Sequence, residues 1–318
     1  MSVLLEVQGL KKYFGTSKGT LHAVDDITFQ LNAGETLGVV GESGCGKSTL
    51  GRVVLHLHES TGGKIIFEGK DVTKVKKREL SAYRHNAQMI FQEPFASLNP
   101  RMTISQIIAE PLVIAKRYKG AELQKRVSEL MELVGLAERL VNSYPHELDG
   151  GRQQRVGIAR ALALNPKFIV CDEPVSSLDV SIQAQILNLL LDLQDDLGLT
   201  YMFITHDLSV VKYISDNIMV MYLGQVVELA PKEELFRKRL HPYTKALLAS
   251  ILEANLHSER VIEPIQGELT SPIDPKPGCR FASRCKYASE KCHNTEPVLE
   301  EVEPNHFVKC HFCSEINA

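Results

Sequence analysis

The chain has 318 residues, 44% hydrophobic, 24% charged and 6% aromatic, with 36 lysines and arginines against 39 aspartates and glutamates and a formal charge of −3. An apolar share of that size excludes a disordered chain, and the near balance of charge argues against a broad binder of nucleic acid. No run approaches the roughly 20 apolar residues that span a bilayer, and the start MSVLLEVQGL lacks a basic stretch followed by an apolar block; the expectation is a cytoplasmic protein that reaches a membrane only through a partner.

Taken in chain order, Val3–Val7 and Thr28–Leu31 read as β-rich stretches with a charged turn at Lys11–Lys12 between them. Thr36–Val40 is a compact apolar run ending at glycine, which fits a buried strand. Ile65–Phe67, Phe168–Cys171, Tyr201–Thr205 and Ile218–Tyr222 share that character. Helical spacing predicts one amphipathic helix through Leu123, Val127, Leu130 and Val134. It predicts another through Ile182, Ile186, Leu189, Leu193 and Leu197, capped by Ser181 and stopped at Gly198. Buried strands alternating with such helices imply an α/β domain with a largely parallel sheet. From Pro231 onward prolines become frequent (Pro242, Pro264, Pro272, Pro275, Pro277, Pro297, Pro304) and periodicity fades after about Leu256, so the tail is expected to be loop-rich. Five of the seven cysteines fall in the last forty residues, which in a reducing compartment points to metal or cluster ligation more than to disulfides.

Gly41-Glu42-Ser43-Gly44-Cys45-Gly46-Lys47-Ser48-Thr49 follows the strand Thr36–Val40 and opens into Leu50-Gly-Arg-Val-Val-Leu. This is G-x-x-x-x-G-K-S in the strand-to-helix context that it needs. The glycines let backbone N–H groups turn inward around phosphate oxygens, and the helix N-terminus adds positive partial charge. Lys47 can reach the β- and γ-phosphates, and the Ser48 hydroxyl can ligate Mg²⁺. The partner carboxylate of such a loop ends a later buried strand. Phe168-Ile-Val-Cys171-Asp172-Glu173 supplies it, with Asp172 on Mg²⁺ and Glu173 as the general base toward the attacking water.

These residues resemble the ATP-binding-cassette (ABC) ATPases, and further motifs fall in that family's order. Gln92, in Ile90-Phe-Gln-Glu-Pro-Phe, resembles the Q-loop, where the family uses the glutamine on Mg²⁺ and in catalysis. Pro174 to Asp179, ending Ser177-Leu178-Asp179, resembles the D-loop, and His206, in Ile204-Thr-His-Asp, the switch histidine. Tyr13 or Phe14 stands where the family stacks an aromatic ring on adenine, with Phe14 favoured. The resemblance implies a cassette with a RecA-like core, an N-terminal antiparallel β subdomain and a helical subdomain. It also implies work as a dimer, in which each ATP lies between one chain's phosphate loop and the other's signature segment.

Gly41-Glu-Ser-Gly-Cys-Gly-Lys-Ser-Thr-Leu, Ser97-Leu-Asn-Pro-Arg101, Tyr144-Pro-His-Glu147, His241-Pro-Tyr-Thr-Lys-Ala246 and Gly278-Cys-Arg-Phe-Ala-Ser-Arg-Cys285 resemble the ATP-binding subunits of oligopeptide and dipeptide importers, nearest the second ATPase subunit of heterodimeric pairs. The likeness implies an ATPase domain over 1–235 with a helical subdomain at about 93–165, and the peptide-transporter C-terminal region over 236–318. It further implies a second ATPase subunit, two membrane permease subunits, an extracytoplasmic peptide-binding protein, no nucleic acid, and residence on the cytoplasmic face of the membrane. Other readings are a nickel or metallophore importer, a soluble cassette ATPase, and a regulator that binds ATP without turnover. The first is a near relative, the second usually carries long insertions or fused cassettes that this chain lacks, and Glu173 and His206 argue against the third while Asp149 argues for it at one of the two sites.

The chain departs from the family at the signature. Leu-Ser-Gly-Gly-Gln is usual, and Leu148-Asp149-Gly150-Gly151-Arg152 stands here. Aspartate can cap a helix as serine does, but when ionised it only accepts hydrogen bonds. Beside a phosphate at about 4 Å and an effective dielectric near 20, it is repelled by roughly 4 kcal/mol. Two expectations follow: Asp149 remains a plain cap, or the site that it completes turns over slowly while the chain's own Lys47, Asp172, Glu173 and His206 serve a competent one. In the peptide-importer family the four-cysteine pattern of Cys279, Cys285, Cys292 and Cys310 is associated with an iron–sulfur cluster in some members. Soft thiolates also suit Zn²⁺, and plain reduced thiols are the third possibility. Cys313 looks surplus, and Cys45 and Cys171 read as small apolar fillers.

Overall fold

The computed structural model describes residues 2–249 and 271–317. They fall into two units, one formed mainly by 74–203 with the short stretch 32–35, the other by 3–31, 36–73 and the described part of 204–318.

In the second of these, period-two burial makes a four-stranded antiparallel sheet in the order Gly19–Asn32, Val3–Thr16, Gly62–Phe67, Lys70–Asp71. Ile27, Phe29 and Leu31 are buried while Thr28 and Gln30 face water, the alternation expected of a half-covered sheet. The charged turn expected at Lys11–Lys12 is absent, because the strand runs through both lysines to Thr16. The chain reverses instead at Ser17–Lys18, where the Thr16 hydroxyl donates to the Gly19 carbonyl at 2.7 Å and accepts from the Lys18 N–H at 3.2 Å. Lysine tolerates the sheet face by laying its alkyl stem along it, and the Lys12 ammonium sits 4.7 Å from the Phe14 ring centroid.

The same unit holds a second set of strands. Thr36–Val40, buried throughout, pairs in parallel with Asn217–Tyr222 from Leu37↔Asn217 to Val40↔Val220. Gln225–Pro231, His306–Val308 and Glu300–Glu303 follow outward, each antiparallel to its neighbour. The tail is therefore less loop-rich than expected, since its hairpin extends this sheet. Glu228 explains the docking. Its carboxylate is fully buried, accepts from the backbone N–H groups of Leu240 (2.9 Å) and His241 (3.0 Å), and lies 2.7 Å from the His306 imidazole. A buried carboxylate needs such partners, and these tie three separate stretches together. Residues 250–270, with Pro264 and the fading point near Leu256, lie outside the described residues.

In the other unit, Ala87–Ile90 and Phe168–Asp172 run parallel from Ala87↔Phe168 to Ile90↔Cys171, with Thr200–Ile204 beside the latter. Helix Ile104–Ile114, opened by a Thr103–Gln106 capping box, packs on Gly120–Leu133 and Gly150–Leu162. The predicted stripe of Gly120–Leu133 is buried at Val127 and Leu130, with Val134 just beyond its end. Helix Val180–Leu197 keeps only part of its predicted stripe, at Ile186 and Leu193. It buries Ile186, Leu187, Leu190 and Leu193, and Leu197 is 49% exposed. Leucines stand on more than one face of this helix, so spacing alone allowed two stripes. Asp179 occupies the N-cap position in place of Ser181, and Gly198 ends the helix in the left-handed conformation as expected. No helix among the described residues is long and apolar enough to cross a membrane.

Candidate active site

The candidate residues fall on both units, and each half is built in its own way. The glycine–lysine loop leaves the buried strand Thr36–Val40 and enters helix Lys47–Val54. Two glycines are dictated by contact. At Gly41 (φ +151°) a Cβ would stand 2.2 Å from the Met221 carbonyl oxygen, and at Gly46 (φ +103°) 2.0 Å from that of Ala23. Gly46 is also the N-cap, so no side chain caps the first turn. A helix N-terminus of this kind presents N–H groups to an anion. Lys47 is only 4% exposed, and its ammonium donates to the carbonyls of Gly41 (2.7 Å) and Glu42 (3.0 Å). Ser43 and Gly44 are exposed at the tip, Ser48 and Thr49 are half-buried on the first turn, and Cys45 is buried. Burial pushes the Cys45 thiol up, which suits a packing role.

Tyr13 and Phe14 are neighbours on one strand and make different contacts. The Tyr13 ring stacks on His22 with centroids 4.0 Å apart, and its hydroxyl donates to Asp25. Burial, then the Asp25 carboxylate, raise the Tyr13 phenol far above its ordinary range. Phe14 meets His58 edge-on at 5.7 Å. His206 follows the strand Thr200–Ile204 and is exposed, while its neighbour Asp207 caps helix Leu208–Ile214 by accepting from Ser209 N–H at 2.8 Å.

The other half sits at the ends of two parallel strands. Asp172 closes Phe168–Asp172 and is fully buried. Glu173 follows with φ +46°, a left-handed backbone that a non-glycine residue adopts only where its surroundings hold it. Its carboxylate accepts from the Gln92 side-chain amide at 3.1 Å. The register Ile90↔Cys171 explains how residues 81 positions apart meet, since each stands just past the end of its strand. The Asp172 carboxylate and the Gln92 amide oxygen are hard donors of the kind that Mg²⁺ takes, and on the other unit the Ser48 hydroxyl is a third donor of that class.

Asp149 is the N-cap of helix Gly150–Leu162, and its carboxylate accepts from the Arg152 N–H at 2.8 Å. The Arg152 guanidinium lies 3.4 Å from the same carboxylate, with both side chains about half exposed. Gly151 is buried, and a Cβ there would stand 2.7 Å from Ile182 Cγ2.

Cys279, Cys285, Cys292 and Cys310 line one small cavity together with Phe281 and Phe312. Burial pushes the Cys279 thiol up to about 11, and the other three thiols act in the same direction. Four soft sulfur donors around one cavity fit a thiolate-bound group by chemistry, although among the described residues no three histidines, cysteines or carboxylates stand close enough to hold one metal ion. Cys313 is buried apart from this cavity, against Leu240 and Val308.

Spacing gave no notice of four further residues. Arg284 donates to both Glu42 carboxylate oxygens (2.8 and 3.1 Å), and Arg280 pairs with Asp25. The Glu42 N–H donates to the Tyr243 hydroxyl oxygen at 2.9 Å. The signal was the pair of arginines inside Cys279–Cys285, but their partners lie more than 240 residues away.

Two family models match the chain. One, described as ABC transporter, matches residues 24–176, and the other, described as Oligopeptide/dipeptide transporter, C-terminal region, matches 227–292. The chain is 52% identical over 310 residues to the oligopeptide transport ATP-binding protein OppF of Salmonella typhimurium, covering 94% of this chain and 93% of that one. It is 51% identical over 312 residues to a putative oligopeptide transport ATP-binding protein, YkfD, of Bacillus subtilis, covering 97% and 95%. Among solved structures it is similar to the dimeric ATP-binding cassette MJ0796 in a post-hydrolysis state bound to ADP and phosphate, at TM-score 0.66 and 29% identity over 72% of this chain and 99% of that one.

Proposed function

This chain belongs to the ABC transporter ATPases, in the branch that carries the oligopeptide/dipeptide C-terminal region, and we propose that it binds and hydrolyses ATP to energise a membrane importer of di- and oligopeptides. The observation that carries the reading is the Lys47 ammonium, folded over the carbonyls of its own glycine loop at the head of a helix without a side-chain cap. On arrival of a triphosphate the ammonium turns from Gly41 and Glu42 to the β- and γ-phosphates, and loop N–H groups take the remaining oxygens. Mg²⁺, when bound, neutralises charge on those phosphates. Glu173 accepts a proton from water as the water oxygen attacks the γ-phosphorus and the bond to the β-phosphate oxygen breaks, leaving ADP and phosphate. Gln92 orients the Glu173 carboxylate, and His206 holds the γ-phosphate. Phe14 or Tyr13 stacks on adenine.

The reading extends to the assembly. The chain works head to tail with a second ATPase subunit, on two permease subunits fed by an extracytoplasmic peptide-binding protein, at the cytoplasmic face of the membrane. Residues 1–235 act as the ATPase domain and 236–318 as the peptide-transporter region. Cys279, Cys285, Cys292 and Cys310 would hold a 4Fe–4S cluster, with Zn²⁺ or free thiols as the competing states, and its role is to cross-link the tail. Anaerobically prepared protein is then brown with broad visible absorption, whereas colourless protein with stoichiometric zinc, or with no metal, removes the cluster.

Co-expression with candidate permease and ATPase subunits, followed by peptide-stimulated ATPase in membranes, tests the function. Stimulation that disappears in Lys47→Ala supports it. A purified complex that retains no adenine nucleotide with magnesium overturns it.

A further inference from the structure

The segment Cys279–Cys285 touches the nucleotide half of the molecule at two points, and both contacts are made by arginines adjacent to a thiol. Arg284 precedes Cys285, is almost wholly buried at its side chain, and grips both oxygens of Glu42, the second residue of the phosphate loop. Arg280 follows Cys279, is equally buried, and donates to the Leu223 carbonyl and to Asp25, the carboxylate that accepts the Tyr13 hydroxyl. Phe281 anchors the segment between these arms, with its ring 5.2 Å from Tyr222, 5.4 Å from Tyr243 and 5.8 Å from His241. Tyr243 in turn accepts the Glu42 N–H. Glu42 is thus held three ways: by Arg284 at its carboxylate, by Tyr243 at its N–H and by Lys47 at its carbonyl.

We propose that Arg284, supported by Arg280, is a positioning residue of the nucleotide site, which makes the cysteine segment a clamp on the phosphate loop. The inference rests on the ATP reading above. Its physical basis is charge and geometry. Glu42 is a negative charge on a loop that must receive a polyanion. A two-bond guanidinium–carboxylate pair fixes the side chain and neutralises it, which a lone lysine cannot do with the same geometry. Without Arg284 the carboxylate is uncompensated beside the incoming phosphates, and the loop loses one of its three holds. Arg280 acts likewise on the aromatic side, because Asp25 fixes the Tyr13 phenol.

The test uses the assembled complex and a fluorescent ATP analogue with magnesium, in wild type and in Arg284→Gln, Glu42→Gln, the double variant and Arg284→Lys. Each is first checked for assembly, and amide exchange over 41–49 is read alongside. Arg284→Gln is expected to weaken nucleotide binding by about tenfold, equivalent to about 1.4 kcal/mol, and to speed exchange in the loop, with KM raised more than kcat is lowered. Adding Glu42→Gln should restore most of the affinity, because it removes the charge left alone; a purely structural loss would instead deepen. Arg284→Lys keeps the charge, is the variant safest for folding, and should recover affinity while exchange stays faster than in wild type. Unchanged affinity and exchange in Arg284→Gln, or losses that simply add in the double variant, overturn the clamp alone. A wild-type complex that binds no nucleotide overturns the ATP reading and the clamp with it.

Discussion

The Gln92 amide donates to the Glu173 carboxylate across 3.1 Å, joining two residues that each stand just past the end of a parallel strand. Carboxyl ends of parallel strands are where open α/β sheets place their ligand chemistry. Glu173 is also held in a left-handed backbone, φ +46°, so its side chain is aimed by strain as well as by a partner. Glu173→Gln keeps the size and the hydrogen bonding but cannot take a proton. The expected outcome is a fall in ATPase kcat of about 10²–10⁴ with nucleotide binding retained. Steady-state ATPase and an ATP-trapping assay on the complex check it, and a variant with near-normal turnover removes Glu173 as the base.

Lys47 makes a different prediction because it is bonded inside its own loop before any nucleotide arrives. Lys47→Ala removes the donor to the Gly41 and Glu42 carbonyls as well as the charge meant for phosphate. ATP affinity should therefore drop, and the stability of the nucleotide-free chain should fall by about 1–3 kcal/mol for a lost charged donor, which lowers its melting temperature. Thermal melts without nucleotide separate the two effects. An unchanged melt means that the loop holds itself without the ammonium.

The phosphate loop and the strand-end acids could both be read from residues alone, whereas the contacts that hold them could not. The phosphate loop was legible because its signal is local: the G-x-x-x-x-G-K-S spacing directly follows the unbroken apolar run Thr36–Val40, even though the carbonyls that exclude a Cβ at Gly41 and Gly46 come from Met221 and Ala23, outside the motif. Asp172 and Glu173 were legible for the same reason, at the end of a second such run. What escaped depends on pairs distant in sequence. Nothing near Glu42 points to Arg284, and nothing near Glu228 points to His306, yet these buried pairs fix where the tail lies. Charge at Lys11–Lys12 does not stop the strand, because long lysine stems run along a sheet. On Val180–Leu197 the expected stripe is buried at Ile186 and Leu193 but not at Leu197, because leucine occupies several faces and packing decides which are covered.

Asp149 separates capping from catalysis. In the structure its carboxylate accepts from the Arg152 N–H, as serine would, and its ion pair with Arg152 is too exposed to contribute much. Asp149→Ser should leave stability unchanged, while Asp149→Ala costs about 1 kcal/mol. If the carboxylate also slows the ATP site that it completes, Asp149→Ser raises single-turnover hydrolysis and evens the nucleotide occupancy of the two sites. Melting curves and single-turnover ATPase on the same preparations check both halves. Identical rates and occupancies in Asp149→Ser and wild type leave Asp149 as a cap alone.

His241 gives a prediction in pH. It is fully enclosed between the Glu228 contacts and the Phe281 ring, and the Tyr243 N–H donates to its Nδ1 at 3.1 Å. That bond needs a lone pair, so the ring is neutral in the fold. Burial pushes its pKa down to about 4 from an ordinary 6.5, against the opposing pull of the Glu228 carboxylate. Between those values the unfolded chain binds a proton that the folded chain refuses, so stability falls as pH drops from about 6.5 toward 4, by up to about 3 kcal/mol. Above pH 6.5 this residue contributes no slope. His241→Gln removes the titration, so its melting temperature should vary less with pH across that window, even if it starts lower. Because Tyr243 holds the Glu42 N–H, the wild type should also lose nucleotide affinity in step with this acid loosening. Parallel melts and nucleotide titrations between pH 4.5 and 7.5, a range set by the shifted and ordinary values, decide it, and equal slopes in the two proteins place the acid sensitivity elsewhere.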